Sequence, residues 1–257
     1  MMLYIIILFI IFFFMIINIL LKKIIKENFN QNIIFLDNNE LFNILKRDDD
    51  NYYKSFYDID YKVRNIQNIE EYINYIKEST INFNTYEKNK IKTCTNDADI
   101  FFENLNYEWL NGKKMNKIPW KIGLVEGKLY ENGLPHTRSD IIIISKDSVI
   151  NYSYKKLTNT LIHEKVHVYQ KIYKNDILKY LNNYNFIKIK KRDVKDNIRS
   201  NPDLDEWVYK DLDNNIYKAV YNKNPSSIED ITYYPINKQS YEHPFEKMAI
   251  FIENKNK

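Results

Sequence analysis

Two of the chain's four histidines, His163 and His167, stand four residues apart in Thr160-Leu161-Ile162-His163-Glu164-Lys165-Val166-His167-Val168-Tyr169-Gln170. On a helix this spacing puts both imidazoles on one face, one turn apart. Imidazoles so placed can share one zinc ion, each nitrogen about 2.0–2.1 Å from the metal. Glu164 cannot lie on the same stripe, but it can reach a water at the metal's open position and act as general base. Lys165 is discordant, because helices of this kind usually carry an uncharged residue there.

The flanks read as a helix. Leu157, Leu161, Val168 and Ile172 recur at spacings of three, four or seven, as an inward stripe requires. Ser153 or Thr158 offers an N-terminal cap and Asn175 a stop. Just before this helix, Asp140–Ser145 holds four consecutive isoleucines, Ile141 to Ile144, and reads as a strand. Similarity to zinc peptidases, where a strand in this position often forms a sheet edge, implies that a substrate peptide pairs with it through its main chain. His136, Thr137 and Arg138 stand at its entrance, as candidates to contact substrate or a developing oxyanion, or as ordinary loop residues.

Zinc needs a third protein ligand. The candidates are Glu242, His243 and Glu246, in Ser240-Tyr241-Glu242-His243-Pro244-Phe245-Glu246-Lys247-Met248-Ala249. Pro244 suits the first position of a helix whose buried face is Phe245, Met248, Ala249 and Ile252. Glu246 then sits one turn inside, held rigidly, whereas Glu242 lies on a freer approach and His243 is kept outside by Pro244. Glu246 is the expected ligand. Glu242 is the alternative, or a carboxylate that orients a ligand histidine. Tyr233, Tyr234, Tyr241, His243 and His136 are candidate oxyanion donors.

The pattern His163-Glu164-x-x-His167, followed much later by Glu246-x-x-Ala249 on a helix, resembles the gluzincins, zinc peptidases whose third ligand is a glutamate. It is also similar to metallopeptidase-like proteins of large DNA viruses, which often carry an N-terminal membrane anchor. The resemblance covers roughly residues 120–253, and its 79-residue interval from His167 to Glu246 is longer than in compact members. It implies an α+β, zincin-like domain: a small sheet with an edge strand, an active-site helix and a downstream ligand helix. It further implies Zn2+ on His163, His167 and Glu246, Glu164 as base, and hydrolysis of a peptide or protein substrate. Two other readings stand beside it. One is a catalytically silent, zinc-containing membrane structural or binding protein; the other is a zinc hydrolase acting on a non-peptide amide or ester.

The rest of the chain must position these residues. Its 257 residues suffice for one large domain or a domain with an appendage, and 44% hydrophobic content is enough for a core. The abundant Ile, Asn, Lys, Tyr and Phe have A/T-rich codons, a bias of the genome rather than the fold. A net charge of +4 with interspersed signs, and no binding motif, argues against nucleic acid as partner. The single Cys94 excludes a disulfide framework and a cysteine zinc site.

Residues 3–21 are almost continuously apolar and as a helix would span about 28 Å, which predicts an N-terminal membrane anchor within residues 1–26. Lys22, Lys23 and Lys26 follow it and place the bulk of the chain on the cytosolic side. Residues 27–95 hold no Gly or Pro and read as a helical spacer or subdomain, with helices over 39–46 and 65–79 and a solvated acidic loop at Asp48-Asp49-Asp50-Asn51. The functional domain is then expected over 96–257. It should open with a helix over 97–110 that buries Ile100, Phe101, Leu105 and Trp109, followed by strands over 120–125 and 128–130. Later, a short helix over 176–183, a solvated strand or loop at Lys188–Arg192 and a hairpin of 207–209 with 215–221 are expected.

Overall fold

A computed structural model describes residues 32–236 and 241–256, together with the helical positions 12, 13, 15 and 17. Apart from those four positions the expected membrane span, residues 3–21, lies outside the described residues. Among the described residues no helix is long and apolar enough to cross a membrane.

From residue 33 onward the chain forms one compact unit. It begins with β1 (Ile33–Phe35), α1 (Asn38–Arg47), α2 (Asp58–Val63), α3 (Ile69–Ser79), β2 (Thr80–Ile81) and α4 (Thr85–Glu103). A small hairpin, β3 (Asn106–Tyr107) and β4 (Leu110–Asn111), leads to α5 (Gly112–Lys117), β5 (Trp120–Val125), β6 (His136–Arg138) and β7 (Ile141–Ser145). Then come α6 (Lys146–Asn151), α7 (Tyr154–Ile172), α8 (Lys174–Asn183) and β8 (Ile187–Lys191). The chain ends with β9 (Trp207–Lys210), β10 (Ile216–Tyr221), β11 (Ile231–Tyr234) and α9 (Pro244–Glu253).

The main sheet has the order β1-β5-β7-β6, with β1, β5 and β7 parallel, β6 antiparallel to β7, and β2 paired to the end of β5. Its four isoleucines explain themselves by alternation. Ile141 and Ile143 point into a core shared with Leu41, Leu45 and Ile76 of α1 and α3. Ile142 and Ile144 point the other way, into a larger core with α4, α7 and α9. A strand covered by helices on both faces is apolar at every position. Gly123 of β5 serves the first face, because a Cβ there would lie 2.5 Å from the Leu41 side chain.

This architecture is mixed α and β around a small mixed sheet, and it departs from the expected layout in several places. Residues 33–95 are not a spacer: β1 pairs with β5, and residue 95 falls inside α4 rather than at a boundary. The lack of Gly and Pro reflected helices, not a separate unit. In the acidic loop Asp49 and Asn51 are exposed as expected, but Asp48 is fully buried and Asp50 partly so, and both of these carboxylates pair with Arg138 at 2.6 Å. The expected helix over 97–110 is the end of α4 plus the β3–β4 hairpin, and Ile100 is exposed. Residues 128–130 form a turn instead of a strand. Asp140–Ser145 is no sheet edge either. The strand there, β7, is flanked on both sides, and β6 takes the edge. Beyond the main sheet, β8 to β11 form an antiparallel sheet in the order β11-β10-β9-β8.

Candidate metal centre

The helix that carries both histidines is well determined by its sequence. Ser153 caps α7, its Oγ accepting the Lys156 N–H at 3.2 Å. Leu157, Leu161, Ile162, Val166 and Val168 are buried, which fixes the helix against α4 and the sheet and aims the histidine face at α9. In α9, Pro244 occupies the first turn, and His243 caps the helix by accepting the Phe245 N–H at Nδ1, 3.1 Å away. Buried Ala249 lets α9 lie close.

Glu246 thereby meets the two histidines. The Nε2 atoms of His163 and His167 are 3.1 Å apart. Glu246 places Oε2 3.3 Å from His163 Nε2 and Oε1 3.6 Å from His167 Nε2. Ligand atoms about 2.0–2.1 Å from a tetrahedral zinc ion lie about 3.3 Å from one another. The two imidazole nitrogens match that spacing. With one oxygen of Glu246 the three ligand atoms lie within 4.8 Å of one another, near enough that a metal ion could gather them. Two converging imidazole nitrogens beside a carboxylate also require a shared cation, a proton or a metal, to offset their repulsion.

The far side of each ring is held. His163 Nδ1 lies 3.2 Å from Glu253 Oε2, and His167 Nδ1 lies 2.8 Å from Gln170 Oε1. Gln170 is itself fixed, donating through Nε2 to the Phe245 carbonyl at 2.9 Å. Such partners set the tautomer and leave Nε2 for a metal. Burial lowers the pKa of His167 and keeps it in the neutral form a ligand needs. For His163 burial also acts downward, but hydrogen bonds to Glu246 and Glu253 outweigh it and hold the pKa well above the ordinary value. Burial would raise the pKa of Glu246; the charge His167 takes on when protonated at low pH, with the hydrogen bond and charge of His163, overcomes this and holds it below the ordinary carboxylate range.

Glu164 lies apart from the three donors, as its spacing requires. It is buried, and Thr137 Oγ1 donates to its Oε2 at 3.0 Å. Burial, followed by the charges of Asp203 and Glu246, raises its pKa well above the ordinary value against the pull of His163 and Thr137. A carboxylate with raised affinity for a proton is suited to accept one from water.

The other candidates are placed elsewhere or otherwise engaged. Glu242 lies outside the donor cluster, bonded to Arg199 and accepting from Asn201 Nδ2 at 2.8 Å. It touches neither histidine; the orienting carboxylate is Glu253. Asn201 also reaches Glu246 Oε1 at 3.3 Å, so Glu242 supports that ligand through Asn201. His243 is spent on its cap and on Asp205 Oδ1 at 3.0 Å, because Pro244 fixes it outside the helix. His136 borders the cleft, but its ring is engaged by the Leu134 carbonyl (2.8 Å) and the Tyr130 hydroxyl (3.3 Å). Arg138 is buried in its pairs with Asp48 and Asp50 and presents nothing to the cleft. Tyr241 borders a different cavity with Tyr180 and Phe251. Lys165 points away from the histidines, with Nζ 2.7 Å from the Ile118 carbonyl and 3.8 Å above the Trp120 ring. Burial lowers its pKa to about 7.

Five contributors escaped the sequence reading: Gln170, Glu253, Arg199, Asn201 and Asp203. Gln170 at three residues from His167 and Glu253 at seven from Glu246 had a helical signal; the other three lie on a loop whose fold only distant contacts determine. Together with Glu131, several of these border a cleft of about 330 Å³ that opens onto His163, Glu164 and Glu246. Comparison with family models, with curated proteins and with solved structures finds no match.

Proposed function

We propose that the protein is a zinc-dependent peptidase, using Glu164 as general base and His163, His167 and Glu246 as metal ligands. The observation that carries this reading is the meeting of one donor atom each from His163, His167 and Glu246, within 4.8 Å of one another, from two helices far apart in sequence. Bound there, zinc would lower the pKa of a water toward about 7 and polarise the scissile carbonyl. Glu164 takes the proton of the attacking water and hands it to the leaving amine. Thr137 holds the Glu164 carboxylate for that transfer, while Glu253 and Gln170 hold the two rings.

Purified full-length protein should contain about one zinc per chain and digest a peptide library. Glu164→Gln should keep its zinc, since Glu164 is no ligand, and lose about 10²–10⁴-fold in rate. Wild-type turnover by that variant would defeat the mechanism. Zinc hydrolysis of a small non-peptide amide or ester is the second reading. It is favoured by one observation: the outward N–H of Thr137 on edge strand β6 is already taken by Asp203 at 2.6 Å.

A further inference from the structure

An edge strand beside a hydrolytic centre is where an extended peptide would add itself to the sheet, through main-chain groups that no neighbouring strand uses. Strand β6 is that edge, and its Thr137 touches the general base, donating Oγ1 to Glu164 Oε2 at 3.0 Å. In an antiparallel pair every second residue turns its N–H and C=O outward. On β6 that residue is Thr137, and both groups are already used. The N–H donates to Asp203 Oδ1 at 2.6 Å, and the carbonyl accepts from Lys171 Nζ at 2.7 Å.

The outward positions on either side are closed as well. Pro135 has no N–H. Ser139 donates its N–H to Asp50 Oδ2 at 3.1 Å, and at φ 53° its backbone has left the extended conformation that a paired strand needs.

The segment Ser200–Asp203, which supplies the Asp203 cap, is tied down along its length. Arg64 Nη2 donates to Ser200 Oγ at 3.1 Å, and Asn201 Nδ2 donates to Glu242 Oε1 at 2.8 Å. The Pro202 carbonyl accepts from Lys171 Nζ at 2.8 Å, and the Asp203 N–H donates to Asn201 Oδ1 at 2.9 Å. The opposite charges of Lys171 and Asp203 also act on one another, as a buried cation and carboxylate must. Displacing the segment would break all of these interactions at once.

Pro135, His136 and residues 201–203 border the 330 Å³ cleft together with His163, Glu164 and Glu246. The chain's own segment therefore stands where an added strand would run. The cleft is also small within the range of about 300–1,000 Å³ that takes a drug-sized ligand. Building on the peptidase reading, we propose that the substrate is a short peptide held in this cleft without main-chain pairing to β6. Asp203, Lys171 and Asp50 are then the residues that exclude an extended chain, and substrate residues beyond the few that the cleft holds add nothing to recognition.

One sequence lengthened symmetrically around its central bond, to four, eight and twelve residues with both ends blocked, tests this. With zinc-loaded full-length protein, kcat/KM should stay level or fall as the peptide grows. Strand addition would raise it, since each main-chain hydrogen bond gained is worth roughly twofold to tenfold. A rise beyond about threefold would overturn the inference, and this comparison needs no variant to fold.

Amide hydrogen exchange reads the caps without turnover. In the full-length protein the Thr137 and Ser139 amides should exchange slowly beside exposed loop amides, and Asp203→Ala should speed Thr137 while leaving Ser139 unchanged. Fast exchange at Thr137 in the wild type, or slow exchange retained there in Asp203→Ala, would overturn the assignment. Cleavage of no peptide, in the series or in a library, with both amides slow, would instead sink the peptidase reading and leave the closed edge standing.

Discussion

At the scale of single residues, the candidate centre separates donors from supports. Glu246 faces both histidines, whereas Glu242 reaches the site through Asn201 and Arg199, and Glu253 through the His163 ring. Removing a donor takes away a bond to the metal; removing a support only loosens its geometry, typically costing 10–100-fold in affinity. Glu246→Ala should therefore empty the site at zinc concentrations that still load Glu242→Ala and Glu253→Gln. Chelator competition on the three purified variants measures this. If Glu242→Ala lost zinc as completely as Glu246→Ala, the donor assignment would have to change.

At the scale of elements, what steadies the cleft is a buried ionic seam between α2, α3 and the turn before β6. Glu131 carries it, accepting from Arg64 Nε and Nη2 at 2.9 Å each, Tyr72 at 2.6 Å and Tyr52 at 3.1 Å. Its backbone is left-handed at φ 46°, as is that of Asn132 at φ 53°, a conformation that tertiary bonds must impose. Burial would raise the Glu131 pKa, but Arg64 outweighs it and lowers the value from 4.5 to about 2. The unfolded chain therefore binds a proton that the folded one refuses. Stability from this pair is complete above about pH 4.5 and is lost as pH falls toward 2, on the order of 3 kcal/mol over the window. Asp50, lowered from 3.8 to about 2 despite burial by its bond to Arg138, acts in the same direction. Denaturant titrations between pH 5 and 2 should show a steeper decline for wild type than for Glu131→Gln. Parallel curves would mean that the seam carries no such linkage.

At the scale of the whole molecule, the sheet makes residues 33–95 part of the core. Leu41, Leu45 and Ile76 cover the face to which Ile141 and Ile143 point. A chain beginning at residue 96 would start within α4 and leave that face bare, so it should show no cooperative unfolding, while one beginning at residue 33 should. Thermal melts followed by circular dichroism decide this, and a cooperative transition from the shorter chain would restore the separate-domain layout. The apolar run 3–21 supports a second expectation at this scale, that full-length protein stays in membranes through carbonate extraction. Its recovery in the supernatant would remove the proposed anchor.

The amino-acid sequence by itself determined what one or two helical turns can encode. The i, i+4 spacing of His163 and His167, the offset of Glu164, the Ser153 cap and the Pro244 start are local, and α7 and α9 formed where those signals stood. The buried strands β5 and β7 were legible for the same reason, as short apolar runs between turns. The tertiary structure decided everything that depends on what lies across space. It brought Glu246 to the histidines over 79 residues, turned Glu242 toward Arg199, buried Asp48 and Asp50 against Arg138, and laid Ser200–Asp203 along β6. An acidic run or an Asn-Pro-Asp turn looks alike in solvent and in a core, because its pattern does not contain its partner. Only the packing of sheet against helices supplies that partner, and so decides which carboxylates are ligands, which are supports, and which close the cleft.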